Sequence, residues 1–322
     1  MAPPTSDPII DFHGHWFPPA VVSSRPAGLP GALTNAWPLL TDLQAQLERA
    51  AADGTDVKLV NAVLSSIAPA ATVALKELPS RTNDALAAAV AAHGPRLAAL
   101  ATVDPFRGDA GAEEARRAID ELGLAGMVLD AAQGERLLGD PETRPTLEFA
   151  AERGVTVFAH PVNPPELPPR YAGQGHVGVL LARGAESALS TLAILASDLL
   201  VDLPDLNIVL AGIGGAALLL AEFLAPEGTV LRNRLHIDTM GFDPVVARFA
   251  LDALGPDGLL VGSDWPIIDR SASRQRVTDL LDEVSEDPHT RALVAGGNAR
   301  RLLALGESYR PPVVAADRNA PR

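Results

Sequence analysis

The chain has 322 residues, 47% hydrophobic and 20% charged, which is the composition of a globular protein and not of a disordered one. Lys and Arg number 26 against 40 Asp and Glu, a net charge of −14 that argues against a phosphate backbone as partner. There is no cysteine, so disulfides, Cys-bound zinc, iron–sulfur clusters and thiol nucleophiles are excluded.

Residues 1–8 read as a polar, Pro-rich N-terminal tail without an apolar signal core. Strand-like and helix-like stretches then alternate. The predicted strands are Ile9–His15, Val57–Leu64, Leu97–Val103, Gly126–Asp130, Val155–His160, Asn207–Ala211, Leu235–Asp238 and Gly258–Gly262. The predicted helices are Leu43–Ala52, Asp84–His93, Ala112–Leu122, Thr146–Arg153, Leu189–Leu200, Ala216–Leu224, Pro244–Leu254 and Arg291–Leu305. Short apolar strands separated by helices imply βαβ units, and eight of them predict an α/β fold, a (β/α)8 TIM barrel over residues 9–305. A doubly wound open sheet is the rival. Two segments rich in Pro and Gly, Phe17–Trp37 and Pro161–Glu186, are expected as long loops over the C-terminal ends of strands. Residues 306–322 are expected to be a disordered C-terminal tail. The longest apolar run, Ile208–Ala221, is shorter than the roughly 20 residues of a membrane span. The expectation is a cytoplasmic protein with neither membrane nor nucleic acid as partner.

Ionisable residues close several apolar strands, at the barrel face where active sites lie. The first strand ends in Asp11-Phe12-His13-Gly14-His15, the fifth in His160-Pro161, and the eighth in Gly262-Ser263-Asp264-Trp265-Pro266. Taken singly, each is equally well a hydrogen-bonded core histidine or a turn aspartate. Together they supply three imidazoles and one carboxylate, a donor set suited to Zn²⁺ or a similar divalent ion. Gly212-Ile213-Gly214-Gly215-Ala216-Ala217 also satisfies a dinucleotide fingerprint, with close strand–helix packing as the plainer explanation. His236 reads as a core histidine, and His93 and His289 as surface residues. Trp16, Trp37 and Trp265 either wall a pocket or pack in the core. Arg107 and Arg170, just after strands, are candidates for holding a carboxylate, with solvated surface arginine as the plainer alternative.

The strand-end motifs, with Arg81-Thr82-Asn83, Ile237-Asp238-Thr239 and Gly297-Asn298-Ala299-Arg300-Arg301-Leu302, resemble the amidohydrolase superfamily. The nearest branch is the amidohydrolase-related family that includes aminocarboxymuconate-semialdehyde decarboxylase. The resemblance spans roughly Ile9 to Leu305. It implies a (β/α)8 barrel with one divalent metal ion, Zn²⁺ or alternatively Mn²⁺, held by His13, His15, His160 and Asp264, with a homodimer as the expected assembly. One position departs from the pattern: Gly212 stands where the family carries a histidine after the sixth strand. His176, in the loop after the fifth strand, is then a candidate to replace that imidazole. The first expectation is a metal-dependent hydrolase of a small cyclic or carboxylate-bearing substrate, with Asp264 as general base toward a metal-activated water. A metal-dependent non-oxidative decarboxylase is the alternative. A catalytically degenerate ligand-binding barrel is the third, because Gly212 can neither activate water nor carry a proton.

Overall fold

The protein is described by a computed structural model covering residues 7–22, 31–68, 77–164, 169–220, 231–232 and 234–306. The tails, read as residues 1–8 and 306–322, lie almost wholly outside the described residues. Eight strands, β1 (Ile10–Asp11), β2 (Val57–Val60), β3 (Leu97–Val103), β4 (Gly126–Asp130), β5 (Val157–His160), β6 (Ile208–Leu210), β7 (Leu235–Asp238) and β8 (Leu259–Leu260), pair in that order. Every pairing is parallel. The ends of the sheet meet: Phe12 N–H donates to Val261 O at 2.9 Å and Asp264 N–H to His13 O at 2.8 Å. That closure makes a (β/α)8 barrel and rules out the open sheet, which would leave edge strands and a reversed strand order.

Side chains alternate along the strands, as a sheet buried on both faces requires. Ala98, Leu100, Val128, Phe158, Val209 and Leu260 form one apolar cluster inside the barrel. Their neighbours Leu97, Ala99, Met127, Leu129, Val157, Ile208, Leu210 and Leu259 belong to the layer between strands and helices. Fully burying one such Leu or Val contributes about 1.5–3 kcal/mol. The alternation also points the last residue of β5, His160, to the same side as Phe158, whose ring centroid lies 5.7 Å away.

Two of the family-like motifs are structural clasps. Asn83, on the helix Leu78–His93, accepts from Thr102 N–H and donates to Thr102 O, tying that helix to β3. Asn298 donates to Pro256 O and Leu259 O near the base of β8. Arg81 donates to Ala20 O.

The expected long loops are partly helical. Gly31–Leu40 is a helix, and after β5 the chain is helical over Pro169–Ala172 and Gly175–Ala196. Gly184 serves close packing there and not flexibility. A Cβ on Gly184 would lie 3.0 Å from Ile213 O, and one on Gly214 only 2.3 Å from Ser187 Oγ. The long helix therefore lies directly against the 3₁₀ run Gly212–Leu220 after β6. The apparent dinucleotide fingerprint is this contact. Val177–Ala196 is long and apolar enough to cross a membrane, yet it packs along the barrel and buries Ala182, Ile194 and Leu195. The helix Arg274–Val284, after β8, has no counterpart among the predicted helices.

Candidate metal centre and active site

Regular pairing of β1 stops at Asp11, and bridges at Gly14 and His15 carry the chain on toward β8 and Asn61. This brings His13 and His15 beside His160 of β5, and one ring nitrogen from each of the three lies within 4.8 Å of the others. All three side chains are buried. Asp264 enters from the turn after β8. Its Oδ1 lies 3.1 Å from His15 Nε2 and 3.5 Å from His13 Nε2. Asp264 has a φ of 55°, a left-handed conformation that is uncommon outside glycine. It is held there by the bond to His13 O and by Ile267 and Ile268 N–H, which both donate to Asp264 O.

The surrounding hydrogen bonds orient the donors. His13 Nδ1 lies 2.7 Å from Asp238 Oδ2, and His15 Nδ1 lies 2.8 Å from Asn61 Oδ1. Each partner accepts a proton from Nδ1 and leaves the Nε2 lone pair pointing into the site. His13 Nε2, His15 Nε2, His160 Nδ1 and Asp264 Oδ1 are buried and have no hydrogen-bond partner. Four converging orphaned atoms of this chemistry fit a single divalent cation, since otherwise each would forfeit its hydration without compensation.

Protonation agrees with that fit. Burial, reinforced by the other two imidazoles and Arg183, holds His160 well below the usual histidine range. Burial likewise lowers His15, against the pull of Asp264. Burial tends to raise Asp264, but the charges of His13, His15 and Arg183 outweigh it and keep the carboxyl below its usual value. For His13, burial is outweighed by Asp238, Asp264 and Asp11, so its affinity for a proton rises, and a dication would compete with that proton.

Beneath the centre runs a buried ionic strut. Lys58 Nζ lies 3.4 Å from Asp11 Oδ2 and 5.1 Å from the ring centroid of Trp265. Asp11 in turn accepts from Ser263 N–H and Oγ–H, the residue before Asp264.

Above the centre opens a cavity of about 340 Å³ with His13, His160 and Asp264 on its floor. Its wall is mostly apolar, with Leu33, Val179, Leu180, Ile213, Met240, Ile267 and Ile268. Arg183, from the helix Gly175–Ala196, is the only Lys or Arg among the described lining residues. No sequence motif marks it, because Arg183 sits mid-helix, far from any strand end. The arginines that were singled out go elsewhere. Arg170 is exposed and stacks on Tyr171, and Arg107 lines a separate polar cleft with Asp104 and Glu113. No tryptophan lines the described cavity wall. His236 is buried in β7 with its Nδ1 3.0 Å from Asp257 O, His93 is half-buried and His289 exposed. His176 falls at the start of the helix Gly175–Ala196, and its side chain lies outside the described residues.

At Gly212 the main chain is not left-handed. Its N–H donates to Asp238 Oδ1 at 3.0 Å, as does Met240 N–H at 2.9 Å. A Cβ there would lie 2.9 Å from Asp238 O and 3.1 Å from Met240 Cβ. The space near a family histidine is thus closed by β7 and its following turn.

A parallel barrel with an imidazole–carboxylate cluster at its C-terminal strand ends defines the metal-dependent (β/α)8 hydrolase and lyase class. The amidohydrolase family model matches residues 10–305, and the chain belongs to that family. It is 28% identical over 257 residues to a gamma-resorcylate decarboxylase of Rhizobium sp. (strain MTP-10005), covering 71% of this chain and 76% of the relative. It is 24% identical over 247 residues to a 2-amino-3-carboxymuconate-6-semialdehyde decarboxylase of Dictyostelium discoideum, covering 71% and 67%. Its fold matches a dihydroxybenzoic acid decarboxylase from Polaromonas sp. JS666 crystallised with manganese and 2-nitroresorcinol. There the TM-score is 0.74 at 21% identity, over 93% of this chain and 97% of that one. These relatives are decarboxylases, so the order of expectation is reversed: carboxy-lyase chemistry moves ahead of hydrolysis.

Proposed function

We propose that the protein is a metal-dependent non-oxidative decarboxylase of a small aromatic or unsaturated carboxylic acid. His13, His15, His160 and Asp264 would hold one divalent ion, Mn²⁺ or Zn²⁺. The observation that carries this is the set of four buried, unpartnered donor atoms under an apolar cavity, in a chain with decarboxylase relatives.

When bound, the ion supplies Lewis-acid polarisation of a substrate oxygen. The apolar wall excludes water, which raises the energy of a carboxylate relative to the less polar state leading to CO₂. The same wall suits hydrolysis poorly, since hydrolysis needs a reacting water beside the substrate. The bond from the ring carbon to its carboxylate breaks, CO₂ departs, and a proton must reach that carbon. With Gly212 offering no group, Asp264 is the acid–base side chain on the floor placed to take up a proton and hand it to carbon. Asp238 and Asn61 act through the imidazoles, fixing their tautomers and ring directions.

The test is a metal assay followed by turnover. Protein stripped with chelator and reloaded with Mn²⁺ or Zn²⁺ is expected to bind about one ion per chain and to release CO₂ from 2,6-dihydroxybenzoate or related hydroxylated acids. His13→Ala or His160→Ala should abolish metal retention. Metal-replete protein that hydrolyses lactones or cyclic amides and leaves every such acid intact would overturn the proposal.

A further inference from the structure

Lys58 is a buried charge beside the centre to which neither metal binding nor proton transfer gives a part. Side chains alternate along the His13–Gly14–His15 segment, so the two imidazoles point into the site and the space at Gly14 faces the other way. Lys58, from β2, fills that space: a Cβ on Gly14 would lie 2.5 Å from its Nζ and 2.8 Å from Leu59 O. The ammonium also reaches the turn after β8. It donates to Trp265 O at 3.3 Å and to Asp11 Oδ2 at 3.4 Å. Asp11 accepts from Ser263 N–H and Oγ–H, and Ser263 Oγ in turn accepts from Trp265 N–H at 3.1 Å. The residues held in this way are the two that flank Asp264. Between them Asp264 keeps its left-handed φ of 55°, a sparsely populated conformation that persists only where the surroundings impose it.

Stability alone does not account for this lysine. Both of its N–O distances are long for charge-assisted hydrogen bonds. Taking an ammonium out of water is costly, and well-packed apolar residues in place of a buried ion pair are often as stable or more so. An apolar side chain could not, however, tie β1, β2 and the turn after β8 into one arrangement. Resting on the metal-centre reading, we propose that Lys58 is a positioning residue. Through Asp11, Ser263 and Trp265 O it holds the Asp264 turn against the His13–His15 segment, so that carboxylate and imidazoles stay converged before an ion arrives. Charge and position pull in opposite directions here. By charge alone, removing a cation beside a dication site tightens metal binding. By position, removing it loosens the fourth donor and weakens binding.

The experiment reads metal binding and not turnover. Mn²⁺ affinity is measured by competition with a metal indicator, and the visible absorption of Co²⁺-loaded protein reports donor geometry. Lys58→Met, similar in length and uncharged, should bind Mn²⁺ about 10–100-fold more weakly than the wild type, with altered Co²⁺ bands. Thr156→Val serves as the stability control. It removes a buried hydrogen bond to Leu302 O at the opposite end of β5 from His160. It should lower Tm and leave both metal readouts unchanged. If Lys58→Met does not fold, Ser263→Ala breaks the same strut beside Asp264 and should weaken Mn²⁺ about tenfold. Mn²⁺ affinity equal to the wild type or tighter in the folded variant would overturn the proposal. So would unchanged Co²⁺ bands, or a Thr156→Val variant that loses as much Mn²⁺ affinity as Lys58→Met. A wild type that binds Mn²⁺ with Lys58→Met no weaker counts against Lys58 alone. A wild type that holds neither ion overturns the metal-centre reading and this inference with it.

Discussion

The two sides of the cavity are built differently. On the β8–β1–β7 side every donor is braced: His13 by Asp238, His15 by Asn61, and the Asp264 turn by Ser263, Asp11 and Lys58. On the β5–β6 side the bracing is thinner. Gly212 contributes no side chain, and Arg183 leans on Pro161 O and Asn163. A metal centre needs donors fixed to within a few tenths of an ångström, whereas a substrate wall must be free to vary. The braced side therefore reads as the constant chemistry, and the thin side as the place where this chain has become particular.

The largest effect is expected on the braced side, at Asp264. Asp264→Asn keeps an oxygen ligand but cannot carry the proton, so turnover should fall by about 10³-fold or more while metal occupancy falls far less. Measuring kcat beside metal content in the same preparation checks this, and near-normal kcat would place the proton carrier elsewhere.

A smaller effect is expected one step back on the same side. Asp238→Asn removes the charge that backs His13, and metal affinity should drop about 10–100-fold, as is usual for such partners. A competition titration with a metal indicator reads it directly.

On the thin side, Gly212→His tests whether the missing imidazole is still accommodated. The new Cβ would meet Asp238 O and Met240 Cβ, so we expect a loss of about 1–3 kcal/mol in stability and no gain in turnover. Urea denaturation and a kcat measurement on the same variant separate the two. A stable, faster enzyme would mean that the wall still fits the family histidine.

The mildest prediction concerns Asp130, at the end of β4. Burial pushes its carboxyl up to about 7, against hydrogen bonds from Ser65. An unfolded chain releases that proton near pH 4. Between about pH 4 and 7 the folded form thus binds more protons than the unfolded one, and this group's contribution to stability declines as pH rises through that window. Asp130→Asn should flatten that part of the profile of Tm against pH, and an unchanged slope would show that Asp130 does not titrate there.

Much of this was legible in the chain itself. Apolar strands with a period of two, separated by helices, give eight βα units, and a polar residue ending an apolar strand is conspicuous without a structure. His13, His15, His160 and Asp264 stand out for that reason, whereas the departure at Gly212 stands out only against the family pattern. The helices within 17–37 and 161–186 are not legible, because glycine and proline are also the residues of loops. Gly184 and Gly214 in fact let two backbone elements touch, and the sequence does not distinguish those uses.

What the tertiary structure decided is whatever depends on barrel closure. Asp238 backs His13 across 225 residues of chain, and Ser263 reaches Asp11 across 252. Arg183 turns into the cavity because its helix packs on the Gly212–Leu220 run, and Met240 closes the space beside Gly212 because β7 lies next to β6. The sequence determined the barrel and its donor residues, since period and residue type are local properties. It could not determine which distant side chains support those donors or which charge faces the substrate, since those follow from contacts that exist only once the sheet has closed.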